Sequence, residues 1–147
     1  MNTPPVSIRP IPFDQTYALR HTVLWPDQPP AYVHLDDDPT GYHFGAFYQD
    51  ELVAVISLFV QDGTGRFRKF ATRPDRQRQG IGTRLLHHVM AEARRLGATT
   101  LWCDARLDTA DFYRKFGMQP EGHIFYKGDI PYTRMRTSLH QPCLPNH

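Results

Sequence analysis

The stretch RPDRQRQGIGTRLL, residues 73–86, sets four arginines, two glutamines and two glycines between two regular elements. Before it, GRFRKFAT alternates charged and aromatic residues, as a strand with one buried face does. After it, Ile81, Leu85, Val89, Met90, Ala93 and Leu96 recur at helical spacing, and Gly97 closes that helix. A strand therefore turns through a glycine-rich bend into a long helix. The first amides of a helix have no partner within it, and the helix dipole adds partial positive charge to them. Together they make a seat for an anion. Gly80 and Gly82 let the backbone approach a ligand and let the helix pack closely on the sheet. The same run also fits a solvated basic rim. Two other glycine motifs fail on their residues. A phosphate-binding Walker loop needs a Lys-Ser/Thr pair after its second glycine, and none is present. A dinucleotide fingerprint needs a third glycine where Leu85 stands.

Working outward, VSIRPI reads as a first strand, and PFDQTYALRHTVL as a helix approached at Pro12 and stopped at Pro26. Residues 25–41, WPDQPPAYVHLDDDPTG, are proline-rich with an acidic triplet and read as a long loop. A loop of this length covers a site or is mobile. YHFGAFYQ and ELVAVISLFVQ flank Asp50 as an antiparallel hairpin. TTLWCDA is a short buried strand. TADFYRKFG is a short helix with Thr109 as cap and Gly117 as stop. GHIFYKGDIPYTRMRTSL gives two closing strands, and HQPCLPNH a frayed tail. The order β, α, loop, β, β, β, α, β, α, β, β indicates an α/β domain with a mixed sheet.

The chain has 147 residues, enough for one domain, which we assign to residues 1–140 with a flexible tail at 141–147. A formal net charge of +2 gives little reason to expect a dedicated nucleic-acid protein, although six basic residues fall between positions 66 and 78. No run approaches the ~20 apolar residues of a membrane helix, and the first residues lack the pattern of a secretory signal. Cys103 and Cys143 then read as reduced thiols in a cytoplasm. No metal site is expected: His87 and His88 are adjacent on a helix, and no Cys/His spacing matches zinc.

KFATRPDRQRQGIGTRLLHHVMAEARRLGATTL resembles the acetyl-CoA binding region of the GNAT superfamily of N-acetyltransferases. Gln77, Gly80 and Gly82 fill its fixed positions, and Pro74 its usual proline. ADFYRKFGMQPEG resembles its second signature, an aromatic-Tyr pair followed by Gly-Met. LRHTVLWPDQ and IPY are similar to motifs of a small bacterial single-domain branch, from which Asp27 and Tyr132 depart. The resemblance implies a mostly antiparallel central sheet, splayed between its fourth and fifth strands and flanked by helices. It implies an acetyl group moving from acetyl-CoA to a primary amine of a small molecule by direct attack of the amine on the thioester. Amides around Arg78, Gln79, Gly80, Ile81, Gly82 and Thr83 would hold the pyrophosphate, with Gln77 in the same motif. The strand end at Phe70, Ala71 and Thr72 would pair with the pantetheine arm, and Tyr113 would return a proton to the leaving thiolate.

Acetyl transfer needs a neutral amine, a polarised carbonyl and a protonated leaving group. An amide near Ala71 could polarise the carbonyl. The strand before the turn holds no carboxylate or histidine to act as base. His34, Asp36, Asp37, Asp38, His43, Asp104 and His123 qualify by type only, and a water chain is the other option. Cys103 reads as a structural thiol. Two opposed ideas about the acceptor stay open. Arg66 and Arg68, sharing one strand face with Phe70, would favour an added carboxylate or phosphate; Trp25, Tyr32 and the acidic triplet would form a lid that attracts a cation. The competing functional reading is a non-catalytic acyl-CoA binding or sensing module on the same fold. Self-association through the closing strands fits as well.

Overall fold

The structure, a computed structural model, describes residues 6–139. The tail expected at 141–147 and Cys143 therefore lie outside the described residues. Seven strands make one sheet in the order β1-β2-β3-β4-β5-β7-β6. They are β1 (Val6–Pro10), β2 (Tyr42–Tyr48), β3 (Glu51–Gln61), β4 (Thr64–Thr72), β5 (Thr100–Arg106), β6 (Gln119–Lys127) and β7 (Ile130–Ser138). β4 runs parallel to β5, whereas β1/β2, β2/β3, β5/β7 and β6/β7 are antiparallel. The element order and the mixed sheet are those expected from the sequence. Pairing of β4 with β5 covers Thr64–Arg66 against Thr100–Trp102, and both strands run on beyond it. By its contacts the chain divides into two units. One holds residues 6–59 and 67–91, and the other residues 60–66 and 92–139.

In the first unit the two-residue turn Gln49-Asp50 joins β2 to β3, with φ of 50° and 66°. Positive φ at both positions suits the right-handed twist of a hairpin. Central β3 is buried from Val53 to Leu58, as its apolar run requires. The expected first helix is irregular. A 3-10 turn, Phe13–Thr16, leads into Tyr17–Leu19 (α1) and then a wider π turn, Arg20–Leu24. Leu19 packs with Val55 and Ala71, joined by Ile11, Val23, Leu24 and Leu52. The wide turn ends at Trp25, next to the proline that stops the helix.

The long helix, Ile81–Arg95 (α2), starts where the spacing places it. Ile81, Leu85, Leu86, Val89, Met90 and Ala93 are its buried face. At its end the Gly97 amide donates to the Arg94 carbonyl (3.0 Å) and the Ala98 amide to that of Ala93 (2.9 Å). That paired closure needs a left-handed residue, and Gly97 has φ 92°.

In the second unit β5 alternates strictly, with Leu101, Cys103 and Ala105 buried. The helix expected at 109–117 is the 3-10 turn Leu107–Thr109 followed by Ala110–Arg114 (α3). Thr109 does not cap it through its side chain; the hydroxyl instead donates back to the Arg106 carbonyl at 2.8 Å. The preceding 3-10 turn places that carbonyl within the hydroxyl's reach. β6 begins at Gln119, three residues before the expected start, because Gln119, Pro120 and Glu121 pair with Arg136, Met135 and Arg134 of β7.

Candidate active site

The bend between β4 and α2 is built by three local devices. Pro74–Arg76 forms a 3-10 turn. The Gln77 side chain donates back to the Thr72 carbonyl at 3.0 Å, and Gln79 to that of Asp75 at 3.3 Å. Arg78 and Gly80 both take positive φ, 64° and 82°. Left-handed residues within a turn gather successive amides into a concave, anion-accepting arc. Arg78, Gln79, Gly80 and Thr83 are exposed, Gly82 is half-buried, and Ile81 is buried under the first turn of the helix. The Arg84 amide closes onto the Gly80 carbonyl at 3.1 Å, so the helical bonds begin there. The first amides of such a helix have no partner within it, which is what an anion needs.

The arginines around it differ in availability. Arg73 pairs with Glu51 at 3.1 Å and with Asp75 at 2.7 Å. Its hydrogen bonds hold the Asp75 carboxyl below the usual carboxylate range. The Arg76 guanidinium lies 4.0 Å from the centre of the Tyr48 ring. Arg78 stands exposed on the turn itself. Arg68 pairs with Asp37 at 3.6 Å, and Arg66 with Asp104 at 3.2 Å. Three of the six basic residues between 66 and 78 are thus matched by carboxylates of this chain. That pairing weakens both a nucleic-acid surface and an anionic acceptor held by Arg66 and Arg68.

β4 departs from simple alternation at Lys69, which has φ 56°. In a regular strand, residues three apart face opposite sides. Here the Phe70 ring meets the Phe67 ring edge-on at 6.2 Å. The expectation that Phe70 shares a face with Arg66 and Arg68 is therefore corrected: the left-handed step turns Phe70 towards Phe67. Beyond it Ala71 is buried and Thr72 half-buried. The alternating pattern carries no signal for such a step.

In the second unit Tyr113 is buried on α3, its ring edge-on to Phe112 at 5.3 Å. Burial, with the charge of Cys103 second, pushes the Tyr113 hydroxyl well above its ordinary value. At neutral pH it holds a proton, as a donor must. Burial likewise pushes up the Cys103 thiol, so no thiolate forms near neutrality. Asp104 is held by Arg66 and by Arg134, the latter at 2.9 Å. The same two guanidiniums lie 4.3 and 3.9 Å from the centre of the Trp102 ring.

The remaining candidates by type part company. Asp38 and His43 belong to a buried network. Arg20, fully buried, sends both terminal nitrogens to the Asp38 carboxylate at 2.8 Å each. It also donates to the Val33 carbonyl (3.0 Å) and the Ser57 hydroxyl (2.9 Å). The Leu35 amide donates to Asp38 at 2.9 Å. His43 meets Ser57 through Nδ1 at 2.7 Å and the Asp38 carbonyl through Nε2 at 2.8 Å. Burial raises the Asp38 carboxyl, but the Arg20 and Leu35 hydrogen bonds and the Arg20 charge outweigh it and leave it below its ordinary value. Both residues are thus tied up structurally. His34 stacks on Tyr17 at 3.9 Å; Asp36, Asp37 and His123 are exposed. Sequence reasoning missed Arg20 altogether, since an arginine on an amphipathic helix gives no sign of burial. Among the described residues, no three His, Cys, Asp or Glu side chains gather as a metal ion would need.

Comparison with known proteins fits this geometry. Residues 11–118 match the model of the acetyltransferase (GNAT) family. The uncharacterized N-acetyltransferase YitI of Bacillus subtilis is 27% identical over 150 residues, covering 90% of this chain and 99% of that protein. A crystal structure from Lactobacillus plantarum, described as that of an N-acetyltransferase, superposes with a TM-score of 0.82 at 21% identity, over 92% of this chain and 99% of that one. An aminoglycoside 6'-N-acetyltransferase complexed with coenzyme A gives 0.74 at 18% identity, over 92% and 98%. The glycine turn, the sheet and these matches agree that the chain belongs to the GNAT family of acetyltransferases.

Proposed function

We propose that this protein transfers an acetyl group from acetyl-CoA to a primary amine of a small molecule, with residues 1–140 acting as one catalytic domain in the cytoplasm. The observation that carries the reading is the exposed turn before α2, where left-handed Arg78 and Gly80 present backbone amides at a helix start. In this reading the amides from Arg78 to Thr83 hold the pyrophosphate, and Gln77 braces the turn through the Thr72 carbonyl. Arg78 adds charge beside it. The backbone of Phe70, Ala71 and Thr72 pairs with the pantetheine arm, and an amide near Ala71 polarises the thioester carbonyl. The amine nitrogen bonds to that carbonyl carbon as the carbon–sulfur bond breaks. Tyr113 donates its hydroxyl proton to the sulfur and regains one from water, to which the amine releases its own.

Two measurements test the reading. Calorimetry with acetyl-CoA reports binding, and release of free thiol with n-butylamine, spermidine, tyramine and a lysine-containing tripeptide reports transfer. We expect binding, and thiol release with at least one small amine. No heat at millimolar acetyl-CoA, or no amine-dependent thiol release, overturns the proposal.

A further inference from the structure

We propose that Arg20 and Asp38 are positioning residues for the acceptor: their buried pair holds residues 25–41 as a fixed strap along which the amine reaches the thioester. The inference rests on the function proposed above and goes beyond it by naming what shapes the acceptor side. Its basis is the network itself. The Asp38 carbonyl can only accept, so His43 Nε2 carries the hydrogen of that contact and donates it. In the neutral imidazole Nδ1 is then the acceptor for the Ser57 hydroxyl, whose oxygen in turn receives Arg20 Nη2. The carboxylate of Asp38 closes the ring on Arg20. One arginine thereby joins the first helix, two points of the strap and β3, while His43 brings in β2. All four side chains are buried.

A purely apolar contact would let the strap settle in several ways, whereas a forked pair with both terminal nitrogens engaged favours one; of the guanidinium nitrogens only the buried Arg20 Nε has no hydrogen-bond partner among the described residues. The strap then meets β4. Asp37, next to the clamp, pairs with Arg68, whose guanidinium also lies 6.0 Å from the centre of the Phe59 ring. Arg68 comes directly before the left-handed Lys69 step and the Phe70–Thr72 segment assigned to the pantetheine arm. In this reading an amine reaching that segment from the Arg68 side passes the strap, which carries the half-exposed Tyr32 ring and the His34 ring stacked on Tyr17.

The test compares the native protein with Arg20→Met/Asp38→Leu, which replaces the pair by apolar side chains, and with Ser57→Ala, which opens the ring without leaving a charge unpaired. Acetyl-CoA affinity is read by calorimetry, and KM and kcat with whichever of the four amines above gives the highest kcat/KM. We expect the acetyl-CoA Kd to stay within twofold in both variants. KM for the amine rises at least tenfold in the double variant and about threefold in Ser57→Ala, and kcat changes less than KM. If the double variant does not fold, Ser57→Ala decides alone. An unchanged amine KM in the folded variants overturns the inference, as does an equal weakening of amine and acetyl-CoA binding. A native protein that binds no acetyl-CoA or acetylates no amine overturns the proposed function instead, and the inference with it.

Discussion

Replacing Gly80 by alanine distinguishes a diphosphate-gripping turn from a merely basic helix start. Gly80 has φ 82°, and no atom lies within 4 Å of where a Cβ would stand. The added methyl therefore meets nothing, and the whole cost is backbone strain. A non-glycine residue held in the left-handed region costs about 1–2 kcal/mol. Unfolding entropy for 147 residues is about 0.3 kcal/mol/K, so Tm falls by roughly 3–6 °C. Gly97, at φ 92° beyond the other end of α2 and equally open, carries the same penalty and is the matched control. In free Gly80→Ala the turn sheds part of this strain by relaxing, so its Tm loss falls short of the full ~3–6 °C, and a turn that grips a diphosphate must restore the left-handed geometry on binding. The acetyl-CoA Kd then rises by the part that was shed, at most the same 1–2 kcal/mol, about 5- to 30-fold. Gly97→Ala loses the full Tm and keeps the native Kd. Thermal unfolding and calorimetry on both variants read these quantities. Equal Tm losses with native affinity in both would refute the argument.

Other outcomes follow from the same geometry. Tyr113→Phe should lower kcat at least tenfold in the thiol-release assay with the acetyl-CoA Kd within twofold; unchanged turnover removes the acid role. The Asp38 carboxyl is lower in the folded state than unfolded, so its stabilisation is fully present above the unfolded carboxylate value, about 3.9, and is lost as pH falls through the folded one. Tm should be insensitive to this group above about pH 5 and fall below about pH 4; in Arg20→Met/Asp38→Leu that acid dependence should shrink, and an identical acid profile would count against it. Cys103 is buried and its thiol raised. Iodoacetamide at pH 7.5 should leave it unmodified in the native protein and alkylate it in urea, read by mass spectrometry of its peptide.

The sequence by itself determined the elements and the glycine turn before α2, because both are written in local chemistry. The spacing from Ile81 to Ala93 marks a buried helix face whatever it packs against. Gly80 and Gly97 mark left-handed positions within a few residues of their own partners. Tyr113 was singled out by its motif, while its burial on α3 is a fact of the packing. Only the tertiary structure decided how charges pair across distance. Arg20 and Asp38 stand eighteen positions apart and Arg66 and Asp104 thirty-eight, and nothing local distinguishes a buried arginine from a solvated one. The loop at 25–41 stayed open to more than one reading because its prolines and aspartates suit any loop; that Arg20 holds Asp38 within it is decided by the tertiary structure. The step at Lys69 escaped notice for a related reason. A lysine in a strand gives no sign of left-handed backbone, and the surrounding sheet, rather than the residue's own preference, holds it there.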